Sequence, residues 1–227
     1  MDAKMPGDIG TKLYFLTIRG TLRPPTIAAS CAAHNEVAGS EANVAAARAL
    51  GDLSHAVFVR ADEPPRSGAG EVLFCDVWNS ISGLQQFFAH PNASEGGARV
   101  FLERDPVVWV AAEQMPSYQL PPPRGHDDRV IGLVRGRVGS VAAAGRVISA
   151  AMVKTMNAAR KLGHLSRAYY LRLDGDGTEI LGVDAWTNLD GCYQFYSRLE
   201  DPSVFQMFTE KPATSVWKRP EGNWVEW

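Results

Sequence analysis

The sequence predicts an α+β fold in which two βαββαβ units follow one another in one chain. Three observations predict it. The stretch Ala46 to Ala56, AARALGDLSHA, matches Ala158 to Ala168, AARKLGHLSRA, at eight of 11 positions. Asp76 to Phe88, DVWNSISGLQQFF, lines up with Asp184 to Tyr196, DAWTNLDGCYQFY, and Trp109 stands as far beyond Trp78 as Trp217 does beyond Trp186. Between the copies runs LPPPRGHDD, Leu120 to Asp128, whose consecutive prolines favour an extended connector. The first unit is therefore expected over 11–120, the connector over 121–128 and the second unit over 129–227.

Each unit opens with a strand. KLYFLTIRG (Lys12 to Gly20) and RVIGLVRG (Arg129 to Gly136) are rich in strand-forming residues and end at glycine. Ala-rich segments follow, from about Thr26 to Leu50 and from about Ser140 to Leu162. They read as helices stopped by Gly51 and Gly163, with Gly39 and Ser40 interrupting the first. SHAVFVR and EVLFCDVW then read as a hairpin around a Pro/Gly-rich turn, and SRAYYLRL and EILGVDAW repeat it around DGDGT. A second helix starts near Ser80 or Asn188 and is broken around Pro91 or Pro202. A short strand ending at Trp109 or Trp217 completes the unit. This order describes a split-βαβ, ferredoxin-like unit with both helices on one sheet face. Two such units can cover each other's open faces, so an intramolecular pseudo-dimer is expected.

Composition narrows the function classes. With 45% hydrophobic and 21% charged residues among 227, the chain is of ordinary globular type. A net charge of -2 supplies no basic field for nucleic acid. The first ten residues lack a secretory pattern and no stretch is long and apolar enough for a membrane span, so a cytoplasmic protein is the expectation. Cys31, Cys75 and Cys192 are odd in number and widely spaced, as reduced, buried thiols would be. There is no GxSxG elbow, no phosphate loop ending in GK[ST] and no GxGxxG after a strand.

The acidic-x-Trp strand end followed by a helix carrying aromatics resembles the dimeric α+β barrel superfamily, and particularly its antibiotic biosynthesis monooxygenase-like group. Those positions are Asp76, Trp78, Phe87 and Phe88, with His90 following, and Asp184, Trp186, Phe195 and Tyr196 in the second copy. The resemblance implies a cleft between sheet and helices that holds an apolar, often aromatic or polyketide-like, small molecule. Members include cofactor-free monooxygenases, haem-degrading oxygenases, cyclases and proteins without established activity.

Residues that differ between the copies point to a site, because duplicated packing is needed twice and a site only once. His55 aligns with Arg167, His90 with Arg198 and, without a gap in the first helix, His34 with Arg146. His34 shares a helical stripe with Ile27, Cys31 and Ala38 that turns toward the sheet, while His55 and His90 are expected at a cleft mouth. Asp76 shares a strand face with Phe74 and Trp78. Desolvation would make it a base, unless it pairs with Arg19 or Arg60 or caps a loop.

The first expectation is a cofactor-independent monooxygenase acting with dioxygen on an acidic phenol, anthrone or hydroquinone. His34, His55 or Asp76 would be the base, with His90 beside them. Phe74, Trp78 and Phe88 would shape the pocket, and Arg19 would stabilise oxyanion charge. The alternatives are a non-catalytic binder of a lipophilic molecule and a haem or metal protein resting on His90. No two of the three histidines have metal-pair spacing, and no metal is expected. For haem, Trp78 and His90 match the residue types of the haem-degrading branch. Their 12-residue separation and the lack of an asparagine among Tyr14 to Arg19 count against it, and no cofactor is expected. A second cleft lined by Arg146, Arg167 and Arg198 would suit an anionic ligand. The terminal NWVEW, with Trp224 and Trp227, would close one end of the barrel or contact another chain, as a monomer or a homodimer.

Overall fold

The computed structural model describes residues 12–61, 70–120, 129–197 and 202–227. The connector 121–128, most of the first hairpin turn and Arg198 lie outside the described residues. The first half contains β1 (Tyr14–Leu22), α1 (Ile27–Val37), α2 (Glu41–Ala49), β2 (Asp52–Arg60), β3 (Glu71–Trp78), α3 (Ile81–Ala89), α4 (Pro91–Val100) and β4 (Phe101–Ala111). A two-residue strand, β5 (Tyr118–Gln119), precedes the second half. That half contains β6 (Val130–Arg137), α5 (Val141–Lys161), β7 (His164–Arg172), β8 (Glu179–Trp186), α6 (Leu189–Ser197), α7 (Pro202–Gln206) and β9 (Ala213–Lys218).

Local chemistry sets these boundaries. Thr26, Ser40, Ser80 and Ser140 each accept a backbone N–H three residues on, which satisfies a donor left free at a helix start. Ser40 therefore restarts the chain as α2 after Gly39, whereas the matching stretch in the second half runs unbroken as α5. Gly51 and Gly163, at φ +104° and +94°, take the left-handed conformation that ends α2 and α5 and turns the chain into β2 and β7. No helix among the described residues is long and apolar enough to cross a membrane.

The strands form one antiparallel sheet in the order β4-β1-β3-β2-β9-β6-β8-β7-β5, and an added β4–β7 pairing closes it into a ring. Each half contributes four neighbouring strands in the same relative order. The two joints are short. Val59 and Arg60 pair with Lys218 and Trp217, and residues from Trp109 to Ala111 pair with residues from Tyr170 to Arg172.

Alternation along the strands divides the core. Leu16, Ile18, Val72, Phe74 and Trp78 pack toward the first-half helices. Phe58, Leu73, Cys75, Val107 and Trp109 meet Ile131, Leu133, Leu181 and Trp217 on the sheet's other face, where the two halves share one apolar cluster. Trp78, Trp109, Trp186 and Trp217 are all fully buried.

Beyond β9 the chain doubles back along β2, with the His55 N–H donating to the Trp227 carbonyl at 2.7 Å and the Trp227 N–H returning a bond of 3.2 Å. In the second half β5 does the same against β7, placing Tyr118 opposite Arg167. The C-terminal residues thus cover the first half, and Tyr118 occupies the matching place in the second.

Candidate functional site

The site grows from the start of β2 and the end of β3. The register sets Asp52 opposite Trp78 and His55 opposite Asp76, so both side chains of the latter pair project to the helix side. There His55 Nδ1 lies 2.6 Å from Asp76 Oδ1, and both residues are buried. His55 Nε2 lies 3.0 Å from His34 Nε2, which α1 delivers from above, and His34 is completely buried. His34 Nδ1 lies 2.9 Å from Asn35 Oδ1.

The proton positions along this chain follow from its far end. Asn35 Oδ1 accepts the Val225 backbone N–H, and Asn35 Nδ2 donates to the Asn223 carbonyl at 2.7 Å, so the backbone fixes which amide atom is oxygen. His34 Nδ1 must therefore carry a proton, and a neutral His34 must accept at Nε2 from His55. Burial, followed by the charge on His55, lowers the His34 pKa to about 4, which keeps it neutral. Burial also opposes charge on His55, but the Asp76 carboxylate outweighs it and holds this imidazole above the ordinary histidine value. The result is a His55 imidazolium on Asp76, bonded to a neutral His34.

Aromatic rings enclose the pair. Trp227 stacks on His55 with centroids 4.7 Å apart, Trp224 lies 5.1 Å from His34, and Phe74 meets both imidazoles edge-on. Beside them opens a cavity of about 370 Å³ between sheet and helices. Its wall includes Ile18, Phe74, Trp78, Phe87, Phe88, Val100 and Phe101, with Asp52, His55, Asp76 and Trp227 at one side. The exposed side chains of Gln86, His90, Asn92 and Arg104 also line it and stand at its mouth. Asp52 is buried, and burial together with the Asp76 charge pushes its pKa up to about 7.

Several expectations change. Asp76 pairs with His55; Arg19 and Arg60 pair instead with Glu71, at 2.7 and 3.0 Å. Arg19 does not line the cavity, because its place in β1 alternates away from Leu16 and Ile18 and sets it over the Trp217 ring. His34 touches His55 rather than the cavity, and both its ring nitrogens are engaged. His55 is buried in the wall rather than standing at a mouth, while His90 is exposed and accepts the Asn92 N–H at the start of α4. The three histidines therefore do not converge. Asp52 and Asn35, which comparison of histidines alone passes over, belong to the cluster. Asp52 had a signal, since it aligns with His164.

In the second half side chains fill most of the space that corresponds to the first-half cavity. Arg167 grips Asp184 with bonds of 2.6 and 2.9 Å, Tyr196 donates to the same carboxylate, and His164 Nε2 lies 3.3 Å away. Burial opposes the Asp184 charge, but Arg167 and His164 hold its carboxyl well below the usual range. Between sheet and helices about 70 Å³ remains beside Arg167, Asp184 and Tyr196, while a more open groove of about 540 Å³ runs past His164 on the Leu120 side. Of the three arginines expected to line an anion site, Arg167 is engaged by Asp184 and Arg146 is exposed, and Arg198 lies outside the described residues. No group of three or more His, Cys, Asp or Glu side chains among the described residues is arranged to hold a metal ion.

No family model matches the chain, and no curated protein does. Solved structures do. An anthrone oxidase-like protein superposes with a TM-score of 0.58 at 12% identity, over 96% of each chain. A monooxygenase candidate from Lactobacillus acidophilus gives 0.56 at 10% identity, over 93% of this chain and 97% of that one. A chlorite dismutase variant from Candidatus Nitrospira defluvii gives 0.58 at 11%, over 92% and 91%. The chain has the dimeric α+β barrel fold. At such identities the likeness carries the barrel and not its chemistry.

Proposed function

We propose that the first-half cavity ionises an acidic aromatic compound, of the phenol, anthrone or hydroquinone class, and exposes its anion to dioxygen without a cofactor. The observation that carries this reading is the hydrogen-bonded chain Asp76, His55, His34 and Asn35 set in the wall of an apolar aromatic cavity. The names borne by two structural neighbours, anthrone oxidase-like and monooxygenase, agree with it.

The cavity lies toward the small end of the ~300–1,000 Å³ typical for drug-sized ligands. A wall carboxylate accepts the substrate proton, and the His55 cation, held by Asp76, stabilises the anion in surroundings that exclude water. For an anthrone the ring methylene becomes a carbonyl, one oxygen atom entering the product and the other leaving as water. The carbon gives four electrons and dioxygen takes four, so no external reductant is needed.

Haem, the alternative drawn from resemblance, is not matched by these residues. A haem iron held through histidine needs a free imidazole nitrogen directed into a slot. Both nitrogens of His34 and both of His55 are engaged, and His90 sits exposed at the rim.

We also read the halves as copies of one unit, 11–120 and 129–227, whose ring is the single-chain counterpart of a two-chain barrel. The matching strand order of the halves supports this reading. Oxygen uptake with a panel of hydroquinones and anthrones tests the function. His55→Gln and Asp76→Asn should each lower turnover at least ~100-fold, the scale of acid–base contributions. Unchanged turnover in both variants refutes the mechanism.

A further inference from the structure

Three buried polar atoms in the wall of the cavity lack hydrogen-bond partners, and two of them lie together. Asp52 is only 4% exposed, yet its Oδ1 makes no hydrogen bond, and the buried Nε1 of Trp227 makes none either. The indole N–H is turned toward the Asp52 carboxyl closely enough to favour its charged form, short of a well-formed hydrogen bond, and both residues line the cavity. Buried polar atoms left this way cost roughly 1–3 kcal/mol each, so the pair calls for an occupant.

In the second half the matching pair bond to each other, although His164 Nε2 there is left without a hydrogen-bond partner of its own. His164 stands where Asp52 does and Tyr118 where Trp227 does, and there the tyrosine hydroxyl bonds His164 Nδ1 directly. Trp78 Nε1 also lacks a partner, but so does Trp186 Nε1, so that feature belongs to the scaffold of both halves. Asp52 beside Trp227 occurs only in the first half, in the wall of its apolar aromatic cavity.

We propose that Asp52 and Trp227 form a hydroxyl-binding subsite, in which an aromatic ligand's O–H donates to Asp52 Oδ1 and its oxygen accepts from Trp227 Nε1–H. This rests on the proposed occupancy of the cavity by an acidic aromatic compound, and it assigns the proton acceptor. The O–H bond of a phenol, a hydroquinone or the enol form of an anthrone breaks, its electron pair stays on oxygen and its proton passes to Asp52, while the indole N–H remains bonded to the anion. A hydroxyl fits because it donates and accepts at one atom, as the two orphaned groups require. With its pKa near 7, Asp52 exchanges a proton at neutral pH. The titratable and charged groups around it are Asp76 and His55 on the strands, with Glu226 close to His55 and with His90 and Arg104 lining the same cavity.

The test compares 1-naphthol with 1-methoxynaphthalene, its methyl ether, by calorimetric titration of the full chain. The wild type should prefer the naphthol at least tenfold, and Asp52→Leu and Trp227→Phe should each cut that preference below threefold. Retained ether binding shows that the cavity is intact. Naphthol affinity should rise as pH passes through about 7 in the wild type and stay flat in Asp52→Asn, which keeps the shape of the site. A naphthol preference unchanged in both variants, or absent from the wild type, overturns the subsite. So does a pH dependence that survives in Asp52→Asn. Oxygen uptake separates the two readings. A preference that depends on Asp52 without uptake keeps the subsite and sinks the oxidation, whereas uptake without a preference does the reverse.

Discussion

Asn35 fixes the polarity of a chain whose other end faces the cavity. Because its oxygen is pinned by the Val225 N–H, His34 can only accept from His55, and His55 can only present its remaining proton to Asp76. Two pH dependences follow. The folded protein keeps a proton on Asp52 up to about pH 7, while an unfolded chain loses it near 3.8, so this group's contribution to stability falls between those values. Asp52→Asn should therefore lose less stability than the wild type between pH 4 and pH 8 in urea unfolding; an equal loss counts against the burial of a raised carboxyl. His34 runs the opposite way. Its folded pKa is about 4 against 6.5, so stability is lost as pH falls through that window, by up to about 3 kcal/mol. His34→Gln should flatten the acid limb, and an unaltered limb contradicts a neutral buried His34.

The elements that carry these residues were largely legible in the sequence. Ser40 and Ser80 cap helices, and Gly51 and Gly163 end them, because such residues solve problems local to a few backbone groups. Alanine at Gly51 or Gly163 has to adopt the same positive φ, and each substitution should destabilise by about 1–2 kcal/mol in denaturant melts. No loss would mean that the caps rearrange freely. What the sequence hid depends on contacts between distant segments. Strand β5 is two residues long, too short for alternation to register, and nothing around Tyr118 resembles NWVEW. Asp52 reads as the end of a turn until β2 is seen to begin there. The inward turn of His34 was legible in helical spacing; its bond to His55 was not, since 21 residues separate them.

At the scale of the whole molecule, the two halves share the apolar cluster that contains Trp109 and Trp217, and their sheets join at two short seams. Neither half can unfold without exposing that cluster. One cooperative transition is expected, and Trp109→Ala should lower stability by about 3–5 kcal/mol without splitting it. Two resolved transitions would show that the halves are independent. The C-terminal residues tie this architecture to the site, since Trp224 and Trp227 follow the last strand of the second half yet pack on the imidazoles of the first. The central claim is that this composite cavity ionises its ligand. It is tested most directly by the absorption spectrum of an anthrone bound to the protein under strict anaerobiosis at pH 7. The band of the anion should appear on binding, weaken in Asp52→Asn, and decay with one dioxygen consumed per anthrone when air is admitted. A bound anthrone that keeps the spectrum of its neutral form, and persists in air, would contradict it.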